Sequence, residues 1–310
     1  MDGLEKIEDL RSNIEKAFIG KPDVIKMVLV ALFSGGHILI EDVPGVGKTT
    51  LAKALARSTD AAFRRVQFTP DLLPSDILGV SIYSEKTSEF VFKPGPVFTN
   101  VLLADEINRT TPRTQSALLE AMNDFQVSID GKTHQLPRPF IVLATQNPYE
   151  FEGTYPLPES QLDRFLMRIS VGYPDADGEK AVLASQRIGN PLDELEPVIT
   201  DEEVATIQRR VRDVRVDESL IDYILSITNA TRASDRVEVG VSPRGSLFYR
   251  RAAQALAFIE NRDYVIPDDV KRLASPLLGH RIILRSAGSR SRDRAERVIE
   301  EILDLVPVPV

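Results

Sequence analysis

The residues whose types and spacing point most directly to chemistry are Lys48 and Thr49, which follow a glycine-rich turn at residues 44–47. A short apolar run at residues 37–40 precedes the turn, and the sequence from Lys48 to Ser58 has helical composition. Strand, glycine loop and helix in this order are the context of a phosphate-binding Walker A motif. The Lys48 ammonium would contact the β- and γ-phosphates of ATP, and the Thr49 hydroxyl would ligate Mg²⁺.

The loop departs from the strict motif at one position, where Asp42 replaces the usual glycine. Gly45 and Gly47 still supply the turn, and we expect both to adopt positive φ so that main-chain amides face an anion. The sequence gives no reason for an acidic group beside phosphate. The residues predicted to bind the nucleotide phosphates are Asp42, Val43, Pro44, Gly45, Val46, Gly47, Lys48, Thr49 and Thr50.

A second motif consists of two adjacent carboxylates, Asp105 and Glu106, at the end of an apolar run at residues 101–104. This is the Walker B form, in which Asp105 would hold the Mg²⁺ shell and Glu106 would act as general base on the attacking water. The pair alone is weak evidence. Together with the upstream loop it is strong, because active sites of open α/β sheets collect at the carboxyl ends of parallel strands.

Three further polar residues follow apolar strands or lie near them. Asn147 follows the strand predicted at residues 140–144, where its amide would contact the γ-phosphate or position water, although Asn-Pro also forms plain turns. Asp163 and Arg164 are adjacent, and the pattern leaves open whether they form an internal ion pair or aim a cation at phosphate.

An apolar segment upstream of the loop offers a site for the adenine ring. Ile19 and Gly20 are its most favourable contacts, although ordinary core packing explains the pattern equally well.

The order of elements predicts an α/β fold with a parallel sheet, followed by an all-helical second domain. Five apolar segments are predicted as strands, at residues 37–40, 63–68, 101–104, 140–144 and 167–171. Two alternating segments, at about residues 80–98 and 126–138, predict β-hairpins inserted into the first domain. We place the domains at residues 1–186 and 187–310. Exposed hairpins of this kind are functional elements or interfaces.

Composition sets limits on function. Of 310 residues, 43% are hydrophobic and 27% are charged, the balance of an ordinary globular protein. The absence of cysteine excludes disulfides and thiolate metal sites, and the three histidines lack metal-ligand spacing. The longest apolar run, at residues 27–33, is too short to span a bilayer, so we expect a cytoplasmic protein.

Charge bears on the partners. The net charge of −8 argues against nucleic acid as a whole-surface partner, although a local basic pore would survive it. The arginine-rich stretch at residues 281–297 is interrupted by acidic residues, and we expect a mobile or solvated segment there rather than a nucleic-acid site.

Taken together, these motifs resemble the MoxR family of the AAA+ superfamily, over essentially the whole chain. The most specific are EDVPGVGKT at residues 41–49, DEINR at 105–109, LPESQLDRF at 157–165 and SPR at 242–244. Asp42 is usual in this family. The resemblance implies an AAA+ P-loop NTPase core with a five-stranded parallel sheet and a helical lid, and Mg²⁺-dependent hydrolysis of ATP.

The resemblance also implies roles that spacing does not show. Asn147 would be sensor 1, Arg164 the arginine finger acting on a neighbouring subunit's ATP, and Arg244 sensor 2. The hairpins would face the channel of a ring, usually hexameric, and contact protein clients. Family members act as chaperones with partners that carry von Willebrand factor A domains, in maturation or metal insertion, and here that partner would be a separate protein.

Two other classes of function stay open. One is a related AAA+ motor of chelatase-like or nucleic-acid type, which salt-sensitive DNA binding would support. The other is a binding scaffold that uses ATP as a switch and hydrolyses it slowly. A GTPase would need an Asn-Lys-x-Asp motif, which is absent.

Overall fold

The structure is a computed structural model that describes residues 2–148, 153–185, 190–285 and 292–309. The strands are β1 (Ile38–Glu41), β2 (Phe63–Gln67), β3 (Gly79–Ser84), β4 (Glu89–Pro94), β5 (Val101–Asp105), β6 (Gln126–Ile129), β7 (Lys132–Gln135), β8 (Ile141–Gln146), β9 (Met167–Ile169), β10 (Val237–Val239) and β11 (Ile283–Leu284). The helices are α1 (Asp2–Ala17), α2 (Pro22–Ser34), α3 (Lys48–Ser58), α4 (Pro74–Leu78), α5 (Pro112–Asp124), α6 (Glu159–Leu162), α7 (Ala176–Ser185), α8 (Asp201–Arg212), α9 (Glu218–Ala233), α10 (Pro243–Ile259), α11 (Pro267–Leu278) and α12 (Arg292–Leu305).

The central sheet has five strands in the order β2-β5-β8-β1-β9, and every neighbouring pair is parallel. Its three inner strands, β5, β8 and β1, are buried along nearly their whole length. Strands that are covered on both faces carry continuous apolar runs, and these runs allowed the strands to be predicted from the sequence. The predicted α/β fold with a five-stranded parallel sheet is confirmed.

Alternate residues of the inner strands supply two apolar clusters on opposite faces of the sheet. Ile38 and Ile40 belong to a cluster shared with α1, α2, α3 and the C-terminal helices. Leu39 belongs to the other cluster, which includes residues of α5 and of the hairpin regions. This layering places the carboxyl ends of β5, β8 and β1 side by side at one edge of the core.

Both hairpins are present within the predicted ranges. In β3-β4 the register pairs Ile82 with Val91, and in β6-β7 the turn is formed by Asp130 and Gly131, both at positive φ. The hairpins contact each other, because the Phe92 ring of β4 stacks on a histidine of β7, His134, with centroids 4.0 Å apart.

The C-terminal part is helical, from α8 to α12, apart from one short antiparallel pair, β10-β11. Strands of two and three residues have no measurable period-two pattern, so the expectation of an all-helical second domain missed this pair. The expected boundary at residues 186 and 187 lies outside the described residues. The lid contacts the core through α8 and α10 on α2, and through α11 on β9. Among described residues, no helix is long and apolar enough to cross a membrane.

Candidate nucleotide site

The glycine loop joins β1 to α3 in the predicted conformation. Gly45 and Gly47 have φ of +87° and +90°, in the region that side chains disfavour. Gly47 caps α3, and its carbonyl accepts the Leu51 amide at 2.9 Å. A Cβ at Gly47 would also lie 3.2 Å from the ring of Phe18. Lys48 donates from Nζ to the carbonyl oxygen of Asp42 at 2.9 Å, so its ammonium folds over the loop.

Asp42 has a structural explanation that the sequence did not give. Its Oδ2 accepts hydrogen bonds from the amides of Val171 and Gly172, both at 2.7 Å, and from the Ser170 hydroxyl at 2.8 Å. Its Oδ1 accepts from the Val43 amide at 2.9 Å. The side chain therefore points away from the phosphate position and ties the start of the loop to the segment after β9.

The charge of Asp42 is stabilised by these donors. Burial raises the pKa of Asp42, but hydrogen bonds from Gly172, Ser170, Val43 and Val171 more than offset it, and the pKa lies below its ordinary value. An ionised carboxylate that accepts several amide hydrogen bonds is a strong local anchor.

The Walker B carboxylates are joined through a threonine on the neighbouring strand. Thr145 of β8 donates to Oδ1 of Asp105 at 2.6 Å and accepts the Glu106 amide at 2.9 Å. Glu106 has φ of +57°, an uncommon left-handed conformation for a side-chain-bearing residue. The Thr145 hydroxyl thus fixes both the Asp105 carboxylate and the backbone turn that sets the direction of Glu106.

Residues of the edge strand β2 also contact this pair. Arg65 donates to Oδ2 of Asp105 from Nε and Nη2, and Gln67 donates to Oε2 of Glu106 at 2.7 Å. Arg109 reaches the same Glu106 oxygen at 3.1 Å. Each acidic group is therefore held by at least one donor from outside its own strand.

The strand ends are tied to one another beside Asn147. Gln146, the last residue of β8, donates from Nε2 to Glu41 at the end of β1. Glu41 also pairs with Arg168 of β9 at 3.0 Å, and both side chains are largely buried. The Asp42 amide bonds to the Gln146 carbonyl at 3.2 Å. Asn147 therefore emerges at the sheet edge that carries the glycine loop and Asp105.

A cavity of about 190 Å³ lies beside the loop, on the side away from β5. Ile19 lines it, whereas Gly20, the other predicted adenine contact, is exposed and is absent from its wall. Other wall residues come from the connection between α1 and α2, from the glycine loop and α3, from the segment after β9 with α7, and from residues 190–192. They include Phe18, Lys21, Val46, Thr50, Tyr173, Val182 and Leu192.

Asp163 and Arg164 do not form an ion pair with each other. Asp163 pairs with Arg281 of the lid at 2.9 Å, and Arg164 is half-buried with an Nε that has no hydrogen-bond partner among described residues. Arg281 is buried, so the expectation of a mobile or solvated segment at 281–297 is wrong for its first residue. A guanidinium can be buried when its N–H donors are all paired. Arg244 lies in the first turn of α10 and is half-buried.

One of the three histidines, His37, has a structural role. His37 is buried, with Nε2 at 2.9 Å from the Met122 carbonyl and Nδ1 accepting the Val142 amide at 3.0 Å. Burial lowers the pKa of His37 to about 4, and the hydrogen bond to Met122 offsets only part of that effect. The ring is thus neutral, and it joins α5 to β8 on the face opposite the glycine loop helix.

The donors at the strand ends fit a magnesium ion. No group of three or more His, Cys, Asp or Glu side chains suited to hold a metal occurs among the described residues. Mg²⁺ bound with a nucleotide needs fewer protein ligands, since it keeps waters and phosphate oxygens in its shell. The Thr49 hydroxyl and the Asp105 carboxylate are the hard oxygen donors that this ion prefers.

Comparisons with known proteins agree with this geometry. Residues 37–167 match the model of the ATPase family associated with various cellular activities (AAA), and residues 229–302 match the AAA lid domain. The chain is 41% identical to chaperone MoxR1 of Mycobacterium tuberculosis, over 96% of this chain and 80% of that protein. It is 31% identical to protein MoxR of Methylorubrum extorquens, over 96% and 93% of the two chains.

A solved structure is similar over nearly the whole length. The crystal structure of a candidate ATPase from Cytophaga hutchinsonii matches with a TM-score of 0.89 at 40% identity, covering 99% of this chain and 96% of that one. The fold and the site define an AAA+ nucleotide-hydrolysing core with its lid. The chain belongs to the MoxR family of AAA+ ATPases.

Several site residues escaped the sequence reasoning. Arg65 and Gln67 lie two positions apart on β2, the spacing that places side chains on one face of a strand. Gln67 ends β2, which lies next to β5, so this spacing was a usable signal. Thr145 and Arg281 gave no comparable signal, since their partners lie 40 and 118 residues away.

Proposed function

We propose that this protein is a Mg²⁺-dependent ATPase that works as a ring and remodels or assembles partner proteins. The observation that carries the proposal is the convergence, at one edge of the sheet, of the glycine loop with Lys48, the carboxylates Asp105 and Glu106, and Asn147. In open α/β sheets this edge is where nucleotides bind and react.

Each residue has a role in the proposed hydrolysis. Loop amides and Lys48 hold the phosphates, and Thr49 with Asp105 holds the ion, which neutralises charge on the phosphate oxygens when bound. Glu106 takes the proton from the attacking water, which Asn147 helps to position. Gln67 and Arg109 both donate to Oε2 of Glu106, which leaves Oε1 as the oxygen that accepts the proton.

Two arginines complete the proposed machinery. Arg164 would enter the site of a neighbouring subunit, where an added arginine raises the rate of phosphoryl transfer by about 10³ to 10⁵. Arg244, at the start of a lid helix, would contact the phosphates of its own or a neighbouring subunit. A hexameric ring and a separate partner with a von Willebrand factor A domain remain predictions from the family, and a cytoplasmic location remains a prediction from the sequence.

The hairpins are the proposed client-binding surface. Phe90 is 70% exposed and Tyr83, which faces it across β3-β4, is 52% exposed. Large aromatic side chains at such exposure on an inserted hairpin are typical of contact sites. Metal insertion into clients is one form that the remodelling would take.

The decisive test compares two variants at the site. Lys48→Ala removes the phosphate contact, so we expect loss of ATP binding in equilibrium titration. Glu106→Gln keeps the shape of the base and removes its basicity, so we expect ATP binding with loss of turnover. Lys53→Ala, an exposed lysine in the same helix, is the control and should retain both. Near-normal ATP affinity in Lys48→Ala would contradict the proposal.

A slow ATP-switched scaffold is the second candidate, and the double hold on Glu106 favours it. Gln67 and Arg109 both bind one oxygen of the proposed base, which restrains the orientation of its carboxylate. Capture of partners by Glu106→Gln and wild-type protein separates the candidates. A remodelling ATPase stalls with partners bound in the variant, whereas a scaffold releases and binds them equally in both forms.

A further inference from the structure

Arg281 is a lid residue whose charged group is buried within the core. Its side chain is 1% exposed, and Nε donates to Oδ1 of Asp163 at 2.9 Å. The two other nitrogens donate to the main-chain carbonyls of Asp163, Phe165, Leu166 and Leu277. A buried guanidinium is strongly unfavourable unless its donors are paired, so this fully paired group makes a fixed contact between the lid and residues 163–166.

A second lid residue holds the other oxygen of the same carboxylate. The hydroxyl of Ser242, the N-cap of α10, donates to Oδ2 of Asp163 at 2.8 Å and accepts the Gly245 amide at 3.2 Å. Asp163 therefore has both oxygens bound by the lid. Arg164 is the next residue after Asp163, and Arg244 lies two residues after Ser242.

The first turns of α10 pack closely around Arg281. A Cβ at Gly245 would lie 3.0 Å from Arg281 Cδ, and the Phe248 ring lies 5.3 Å from the guanidinium carbon. Burial lowers the pKa of Arg281 to about 10. The charge of Asp163 raises this pKa, and the nearby charge of Arg244 lowers it further. With so little free space, a displacement of α10 is transmitted to Asp163.

We propose that Arg281 and Ser242 are positioning residues that tie the lid to Asp163, so that the lid of each subunit sets the position of its Arg164 toward the neighbouring subunit. The lid carries Arg244 and part of the wall of the nucleotide cavity, so nucleotide in one subunit would control hydrolysis in the next. This inference rests on the proposed function, because it requires Arg164 to act in a neighbouring site.

The test uses mixed assemblies in which only one kind of subunit can cleave ATP. Arg164→Ala subunits keep their own site and depend on a neighbour's arginine, whereas Glu106→Gln subunits supply that arginine and hydrolyse nothing themselves. Mixing the two should restore hydrolysis. Ser242→Gly is then added to the Glu106→Gln subunit, since glycine is well tolerated at an N-cap and the lid stays folded.

The matched control is Asp217→Gly, which removes the N-cap side chain of α9, whose partner is Ser219 of the same helix. We expect Asp217→Gly/Glu106→Gln to restore hydrolysis as well as Glu106→Gln, and Ser242→Gly/Glu106→Gln to restore at least fivefold less. Ser242→Thr, which keeps the hydroxyl, should restore most of the rate. A merely structural role would make the two glycine variants behave alike.

The outcomes separate the inference from the function on which it rests. Equal restoration by Ser242→Gly/Glu106→Gln and by Glu106→Gln leaves the arginine finger in place and overturns the coupling. No restoration by Glu106→Gln itself shows that Arg164 does not act between subunits, which overturns the finger and the coupling together. Melting temperatures of the two glycine variants, measured in parallel, show that the lids are equally folded.

Discussion

Arg65 donates two hydrogen bonds to a single oxygen of Asp105, from Nε at 3.1 Å and from Nη2 at 2.6 Å. The carboxylate is mostly buried, and its other oxygen accepts the Thr145 hydroxyl. The Asp105 carboxylate, which is the proposed magnesium ligand, is therefore already paired with the guanidinium of Arg65. A guanidinium and a divalent ion that approach the same oxygen compete for it.

The first prediction follows from this competition. Arg65→Ala should bind divalent ions several-fold more tightly in the complex with ADP, because the competing charge is gone. Free Mn²⁺, followed by electron paramagnetic resonance during a titration, measures this. Arg64→Ala is the control, since Arg64 is exposed and lies one position away on β2. Weaker binding by Arg65→Ala would mean that Arg65 orients Asp105 instead of competing for it.

The second prediction concerns Asp42. Asp42→Asn places an amide among donors that need an acceptor, so we expect a loss of about 2 kcal/mol in the free energy of unfolding. Because the folded pKa is below its ordinary value, the contribution of Asp42 is present above about pH 4 and is lost as the pH falls further. Urea unfolding measures both effects. Asp124→Asn, at an exposed carboxylate, should change stability by about 0.5 kcal/mol or less.

The third prediction separates the adenine contact from the phosphate contacts. Ile19→Ser should weaken binding of ATP and of ADP to a similar extent, by several-fold, because it removes apolar surface from the cavity wall. Affinity for inorganic tripolyphosphate should stay unchanged, since that ligand uses only the loop. Calorimetric titration with the three ligands gives the comparison. A loss of tripolyphosphate affinity equal to that for ATP would place Ile19 in loop support.

The fourth prediction is a pH dependence set by His37. Its pKa is about 4 in the folded chain and about 6.5 when unfolded, so the unfolded state takes up the proton first as the pH falls. His37 should therefore reduce stability by about 2 kcal/mol between pH 8 and pH 5.

The variant His37→Gln tests this assignment. Glutamine keeps a donor and an acceptor and cannot titrate, so its stability should start lower and change less with pH. Denaturant unfolding at pH 8, 7, 6 and 5 gives the two slopes. Parallel slopes for the two proteins would assign the pH dependence to other groups, such as His280, whose pKa burial also lowers.

Local patterns predicted the fold well. The buried strands of the parallel sheet carry continuous apolar runs because both faces of the sheet are covered. The turn at Asp130 and Gly131 has residue types that favour positive φ. The glycine loop and the Asp-Glu pair were visible because each motif lies within a few consecutive residues. Thr200 and Glu203 form a capping box at the start of α8, and their spacing is the usual one for this motif.

Contacts between residues that are far apart in the chain could not be predicted from the sequence. The hydrogen-bond partners of Asp42 lie about 130 residues later in the chain, and Gly172 is one of them. The sequence alone therefore gave no reason for an acidic residue in a phosphate loop. Arg281 belongs to an arginine-rich stretch, and composition gave no reason to bury it. Only the fold brings Asp163 to it, because the carboxylate and three of the four carbonyl groups lie 115 to 118 residues earlier in the chain.

The β3-β4 hairpin leaves the core and returns to it at nearly the same point. Gly79 pairs with Pro94, and the Gly95 amide bonds to the Leu78 carbonyl at 3.3 Å. A segment whose two ends already meet can be shortened, lengthened or exchanged for another without moving the elements on either side. The proposed client-binding residues 80–93 can therefore be replaced by grafting without displacing the nucleotide site.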